Sequence, residues 1–466
     1  MELKKYPATF DISEIAELFN IKGLTEKLYF RISISTDSRS VKRNQIFLPL
    51  IGKNLNGHDY INDVFKRANS EQPFISFCEK SQINKVKKEY RKKLIIVKST
   101  LDAYHKIAQH YRKKINPRVV AITGSSGKTT VKDLLSGVLS SRYKVYKTEA
   151  NNNNEIGVPK TILEMPESTE ILILELAMRG KGEIRYLSKT ANPDVAIVTN
   201  VGSAHIGRLG SLQKLIRAKS EILEHLKKNG LAVVNNNPTI LKQVQKIWKG
   251  KTAAFDLSQA SEISFEDGKT NFSINIKGLM YEKFYLNLPG INQIENALLA
   301  ILIAKYFGLS KNEIQRGLSS FRIPEGRGVV NKIGRESFVI DDCYNANPES
   351  VKSSVNNLIS CWKNGYRKVV VLGELAELGS YEKRLLGDLA RWIEKQSITH
   401  VITVGKKVSK YFKSSNVKKA RNIKDCCAIL EKILNPHTII LVKGSRIAGL
   451  EQVVKFLTVQ QNEGNK

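Results

Sequence analysis

Apolar positions recur along this chain with two periods. Val119-Val120-Ala121-Ile122 is an unbroken, mostly β-branched run, the pattern of a strand buried on both faces of a parallel sheet. Val131, Leu134, Leu135, Val138 and Leu139 follow at helical spacing along one face. The alternation then repeats, with strand patterns at 171–174, 195–198 and 231–235 separated by helical segments. Residues 253–284 read as irregular β, and 292–306 as a long apolar helix. Strand patterns return at 338–342, 369–373, 401–405 and 439–443. Ahead of this series, 10–19 reads as a short amphipathic helix capped by Asp11 or Ser13, and 32–36 and 46–51 read as strands.

Strands alternating with helices predict the α/β class, with ligands at the C-terminal ends of the strands. The basic stretch 110–117, ending in Pro117, reads as a linker, and Arg322-Ile323-Pro324-Glu325-Gly326-Arg327-Gly328 as a second boundary. The predicted division is 1–110, 111–322 and 323–466, three α/β domains.

Composition narrows the class. With 466 residues the chain can bury several cores. Hydrophobic residues make up 41%, yet no apolar run approaches the ~20 residues of a membrane span. The first residues lack the apolar core of a leader, so the expected location is the cytoplasm, without membrane insertion. Five cysteines without C-x-x-C spacing fit reduced thiols. The net charge of +31 raises nucleic acid as a partner. The lysines are scattered, however, with no arginine-rich arm. They read as solvated surface with a bias toward anionic substrates, and no nucleic-acid partner is expected.

The candidate chemistry sits where the strand patterns end. Thr123-Gly124-Ser125-Ser126-Gly127-Lys128-Thr129-Thr130 joins the first buried strand to its helix. Gly124 and Gly127 permit a tight turn whose N–H groups face an anion; Lys128 can reach phosphate oxygens, and the Thr129 hydroxyl can bind Mg²⁺. The first glycine of the full phosphate-loop pattern is replaced by Ile122. The asparagine run 151–154 reads as an ordered loop. Glu175 ends a strand, where it could hold the same Mg²⁺ or simply cap the next helix. His205 follows another strand end, and Lys219 taken alone reads as a surface lysine. In the N-terminal region, Asp37 and Arg39 could pair with each other or bind a phosphorylated ligand. Three loops, at 341–348, 373–379 and 443–446, share one predicted rim.

Taken together, these motifs resemble the Mur ligase family over nearly the whole chain and in the family's order. They are Thr-Asp-Ser-Arg at 36–39, Gly-His-Asp at 57–59, the phosphate loop, Asn-Asn-Glu-Ile-Gly-Val-Pro at 153–159, Ala-His at 204–205 and Ala-Lys-Ser-Glu-Ile at 218–222. Asp-Asp-Cys-Tyr-Asn-Ala-Asn-Pro at 341–348 and Lys-Gly-Ser-Arg at 443–446 complete the set. The Tyr-Asn-Ala-Asn-Pro and Glu-Leu-Gly elements are similar to the member that adds D-alanyl-D-alanine. The missing first glycine is also usual for the family.

The resemblance implies three domains: a UDP-substrate domain, a central ATPase and a Rossmann-like C-terminal domain. It implies an amide ligase in which ATP phosphorylates the carboxylate of UDP-N-acetylmuramoyl-tripeptide and D-alanyl-D-alanine attacks the acyl phosphate; a monomer is expected. By residue, it places Gly124 to Thr130 on the phosphates, Thr129 and Glu175 on one Mg²⁺, and His205 with a carbamylated Lys219 on a second. It places Asn296, Arg327 and Asp342 near the nucleotide. Ser38, Arg39, Asn154, Tyr344, Asn345 and Asn347 are left for the two other substrates. Asn292, Leu386 and Cys343 depart from the family's usual residues.

Overall fold

A computed structural model describes residues 8–21, 31–42, 44–67, 75–202, 206–266, 269–276, 280–288, 290–334, 336–362 and 365–463. Within these residues the strands form four sheets. The N-terminal sheet has five strands in sequence order: Phe10–Asp11, Arg31–Ser35, Gln45–Phe47, Ser76–Glu79 and Leu94–Val97. Its first pair is antiparallel and the remainder parallel.

The central sheet has six parallel strands in the spatial order Lys251–Phe255, Leu231–Asn235, Val195–Val198, Arg118–Thr123, Ile171–Glu175, Val145–Lys147. The order in which successive strands are added reverses around Arg118–Thr123, so the glycine loop leaves the sheet at its switch point, where open α/β sheets bind ligands. Side chains of this strand alternate between two apolar cores: Val119 and Ala121 face one, Val120 and Ile122 the other. Burial on both faces explains the unbroken apolar run.

The 253–284 region divides. Lys251–Phe255 completes the central sheet, while Ala260–Glu266, Lys269–Ile276 and Met280–Leu286 form a separate antiparallel sheet. The C-terminal sheet has the order Val329–Lys332, Phe338–Asp342, Thr438–Lys443, Arg367–Leu372, His400–Val404, Val417–Ala420, parallel except for its first pair.

The expected linker at 110–117 is corrected. The helix Thr100–Ile115 runs through it to an Asn116 cap with φ 53°. Lys113 and Lys114 lie on the outer face of an amphipathic helix, while Arg112 is buried and donates to the Thr190 carbonyl at 3.2 Å; Tyr111, on the inner face, is 1% exposed and donates to the Met165 carbonyl at 2.9 Å. The N-terminal sheet and one face of the central sheet thereby share a single core, which includes Phe10, Phe77, Tyr111 and Leu172. The C-terminal sheet has two cores of its own. Among the described residues all five cysteines are free thiols, and no helix is long and apolar enough to cross a membrane.

Candidate active site

A cleft of about 1330 Å³ opens over the C-terminal rim of the central sheet, lined from all three regions of the chain: Lys53 from the N-terminal part, Ser125 to Thr130 and Glu175 from the floor, and Tyr344 and Arg446 from the C-terminal part. The floor is the glycine loop. A Cβ at Gly124 would lie 1.9 Å from the Thr199 hydroxyl, and Gly127 has φ +79°, so both positions demand glycine. The Ser125 and Ser126 N–H groups donate to Asn200 at 3.0 and 2.9 Å. Thr199 donates back to the Ser126 carbonyl at 2.7 Å. These bonds pin the turn and leave the first-turn N–H groups of the helix Lys128–Leu139 to face an anion. The role of Asn200 in fixing the loop emerges only from the fold.

Two lysines converge on one carbonyl. Lys128 and Lys219 Nζ donate to the Gly124 oxygen at 2.8 and 2.9 Å. Lys219 is 2% exposed, so the surface reading of that residue does not hold. Burial, then the neighbouring Lys128 charge, pushes its amine well below the ordinary lysine range. Burial lowers the Lys128 pKa as well, with Glu175 opposing and Arg327 adding to the shift. Thr129 donates to Glu175 at 3.0 Å, and Glu175, 3% exposed, also accepts from Asn153 at 3.0 Å. Glu175 is therefore directed into the cleft rather than serving as a helix cap. The asparagine run is ordered as expected, and Asn153, which the sequence did not single out, orients the carboxylate. Asn154 lines the cleft and accepts from the Ile156 and Gly157 N–H groups at 3.2 and 2.9 Å. His205 lies outside the described residues.

The C-terminal wall gathers the three predicted loops. Ser445 ties them: its hydroxyl accepts from Ala376 N at 2.8 Å and donates to the Ala346 carbonyl at 3.3 Å. Asp342 pairs with the buried Lys443 at 2.7 Å and accepts from Ser354 at 2.5 Å. Tyr344 donates to Asn151 at 2.5 Å across the cleft, and the Arg327 guanidinium lies 4.2 Å from its ring centroid. Asn296 sits beside the phosphate loop, 3.1 Å from where a Gly127 Cβ would be. Asn345 accepts from the adjacent Ala346 N–H. Asn347 lines the cleft but is also the N-cap of the helix Pro348–Cys361, accepting from Ser350 N at 2.8 Å.

Ser38 and Arg39 are not among the cleft-lining residues. Arg39 is closed onto Asp37 through two bonds of 3.0 and 2.9 Å, and this pairing holds the Asp37 carboxyl at about 2. The structural-pair reading of these residues describes this geometry. The three departing residues are all accommodated. Asn292 bonds Ser353 of the C-terminal wall, Leu386 is core, and the Cys343 thiol bonds Asp341 at 2.8 Å, where burial raises its pKa.

A glycine-loop floor suited to phosphate, an oxygen-donor pair beside it and a separate wall of loops define an ATP-using ligase architecture, and comparison with known proteins agrees. Residues 122–304 match the Mur ligase middle domain and residues 328–446 the Mur ligase glutamate ligase domain. The UDP-N-acetylmuramoyl-tripeptide--D-alanyl-D-alanine ligase of Bacillus subtilis is 33% identical, covering 91% of this chain and 92% of that protein. This chain belongs to the Mur ligase family. Among solved structures, MurF from Acinetobacter baumannii is similar with a TM-score of 0.86 and 25% identity, over 97% of this chain and 99% of that one. MurF ligase from Thermotoga maritima in complex with ADP has a TM-score of 0.83 and 26% identity, over 93% and 98%.

Proposed function

We infer that this chain is the ATP-dependent ligase that joins D-alanyl-D-alanine to UDP-N-acetylmuramoyl-tripeptide. The observation that carries the reading is the convergence of Lys128, Lys219, Thr129 and Glu175 on the glycine loop, beneath a cleft walled by two further regions. In this reading residues 1–110 hold the muramoyl peptide, 111–322 the nucleotide, and 323–466 bring in the dipeptide. The enzyme acts as a cytoplasmic monomer with no nucleic-acid partner.

The chemistry requires charge neutralisation, because a carboxylate and a γ-phosphate repel each other. Lys128 and the N–H groups of Gly127 to Thr130 hold the phosphates and stabilise the charge that develops during transfer. Thr129 and Glu175 supply hard oxygen donors 3.0 Å apart, a set that suits Mg²⁺, and His205 and Lys219 would serve a second ion. When bound, these ions would polarise the transferring phosphoryl group. An ammonium has no lone pair for a metal. The buried Lys219 amine is displaced toward its neutral form, which can add to CO₂ with loss of a proton to give a carbamate oxygen ligand. Asn296 and Arg327 border the nucleotide, with Asp342 fixed by Lys443 beside them. Tyr344, Asn345 and Asn347 would line the dipeptide side, Asn154 would contact a substrate in the cleft, and Ser38 and Arg39 would serve the UDP end. Attack of the dipeptide amine on the acyl phosphate forms the amide and expels phosphate. Excluding water during this step prevents hydrolysis of the intermediate.

The test is ADP release by purified protein with muramoyl tripeptide and one amino component at a time. Release that depends on D-alanyl-D-alanine is expected, with oxygen label from the peptide carboxylate appearing in inorganic phosphate. Turnover only with glutamate or a diamino acid would reject the reading.

A further inference from the structure

The loop 373–379 carries a glutamate that the proposed chemistry leaves unused. Glu377 sits at φ 63°, a left-handed conformation that costs a side-chain-bearing residue energy and persists only where its surroundings impose it. Those surroundings belong to the central region. Arg208 Nη2 donates to Glu377 Oε1 at 2.9 Å. A Cβ at Gly207 would come within 2.7 Å of Gly379 N and 2.8 Å of the Leu378 carbonyl carbon, so two backbones touch here with no room for a methyl group. The Tyr381 hydroxyl donates to the Gly210 carbonyl. Tyr381 and Leu385 also pack on the core that contains Ile206. The helix Ile206–Leu209 thus lies directly against the C-terminal wall, and it begins one peptide bond after His205.

We propose that the Arg208–Glu377 pair and the Gly207–Gly379 contact form a latch, with Arg208 and Glu377 as positioning residues. The latch fixes the segment leading out of His205 only when the C-terminal wall is seated on the central region. The inference rests on the proposed function for its purpose: a carboxylate should not be phosphorylated while water can reach the product. An exposed ion pair adds little by itself, Arg208 and Glu377 side chains being 46% and 35% exposed. The backbone contact supplies the shape selection, and the pair supplies the register.

Small-angle scattering of the metal-free, nucleotide-free protein tests the latch independently of turnover. Gly207→Ala is expected to enlarge the radius of gyration, and Glu377→Gln to do so to a lesser extent. In steady state, Gly207→Ala should lower kcat about tenfold or more. Glu377→Gln should raise the half-saturating Mg²⁺ concentration about threefold. The dissociation constant for ATP alone should stay at the wild-type value in both. The doubly exchanged Arg208→Glu/Glu377→Arg protein should recover the Mg²⁺ response. Unchanged scattering and kcat in Gly207→Ala would overturn the latch, as would a fall in melting temperature with an unaltered Mg²⁺ response in Glu377→Gln. Failure of the wild-type protein to use D-alanyl-D-alanine would instead reject the ligase reading and leave the scattering result to stand on its own.

Discussion

The two walls of the cleft are joined to its floor by different physics. The N-terminal wall shares an apolar core with the central sheet, through Phe10, Tyr111 and the helix Thr100–Ile115. The C-terminal wall meets the floor through a set of polar contacts, Asn292 with Ser353, Ile291 N with Asn357 at 3.1 Å, Tyr344 with Asn151, and Arg208 with Glu377, and adds only the partly buried Tyr381 and Leu385 to the edge of that core. Apolar burial is non-directional and costly to reverse, whereas polar groups can exchange protein partners for water at little net cost. The first joint is held by apolar burial, the second largely by groups that water can replace. This difference suits a ligase that must admit a dipeptide and then exclude water.

The comparison can be sharpened by removing the floor, then each joint in turn. The largest effect is expected at Lys128→Ala, which removes the proposed phosphate contact without touching either joint. Turnover should fall about 10³-fold, roughly 4 kcal/mol of transition-state stabilisation, with the denaturation midpoint nearly unchanged. Tyr111→Ala should cost about 3–5 kcal/mol of stability, measured by urea unfolding, because the lost ring leaves a cavity in the core shared by wall and floor. Loss of much less would break the claim that this joint is apolar.

Lys219→Met should lower turnover about 10²-fold while raising the melting temperature, because it replaces a buried amine bonded to a single carbonyl with an isosteric apolar chain. The pH sign follows from the same group. The folded pKa lies below the unfolded value, so the unfolded chain binds more protons between the two, and the penalty of burial is relieved as pH rises through the folded pKa. The wild-type protein should gain stability relative to Lys219→Met as pH rises through that interval, and activity should respond to added bicarbonate.

Asn357→Ala, at the polar joint, should cost only about 1 kcal/mol. Its kcat should fall more than its stability would suggest. The smallest structural effect is expected at Arg39→Ala: a melting temperature close to wild type, and the Asp37 carboxyl, followed by NMR, rising from about 2 toward 3.8. That pairing stabilises only above the unfolded Asp pKa and is lost as pH falls through about 2; solvent screening keeps it small. A raised KM for the UDP substrate would place Arg39 at that ligand in spite of its distance from the cleft lining.

Much of the central region was legible because its signals are local. The run Val119 to Ile122, the glycine turn and the helical spacing after it specify strand, loop and helix without distant partners, and the strand at 231–235 falls on the same residues in the fold. The boundary at 110–117 was misread because a helix whose outer face is basic looks like a solvated linker until the core behind Tyr111 is known. Lys219 taken alone reads as a surface lysine for the same reason, and only the family resemblance put it in the site. Nothing adjacent to it in sequence reveals that a carbonyl 95 residues away will be its partner.

By itself, the sequence determined the α/β alternation, the position of the phosphate loop and the set of chemical groups available, because periodicity and turn chemistry act over a few residues. Only the tertiary structure decided which of those groups meet. Two lysines share the Gly124 oxygen, Asn153 turns Glu175 toward Thr129, and Glu377 reaches Arg208 because long-range packing places them within hydrogen-bond distance. Burial, pKa and joint stiffness depend on three-dimensional neighbours, and those neighbours come from parts of the chain whose local patterns carry no information about one another.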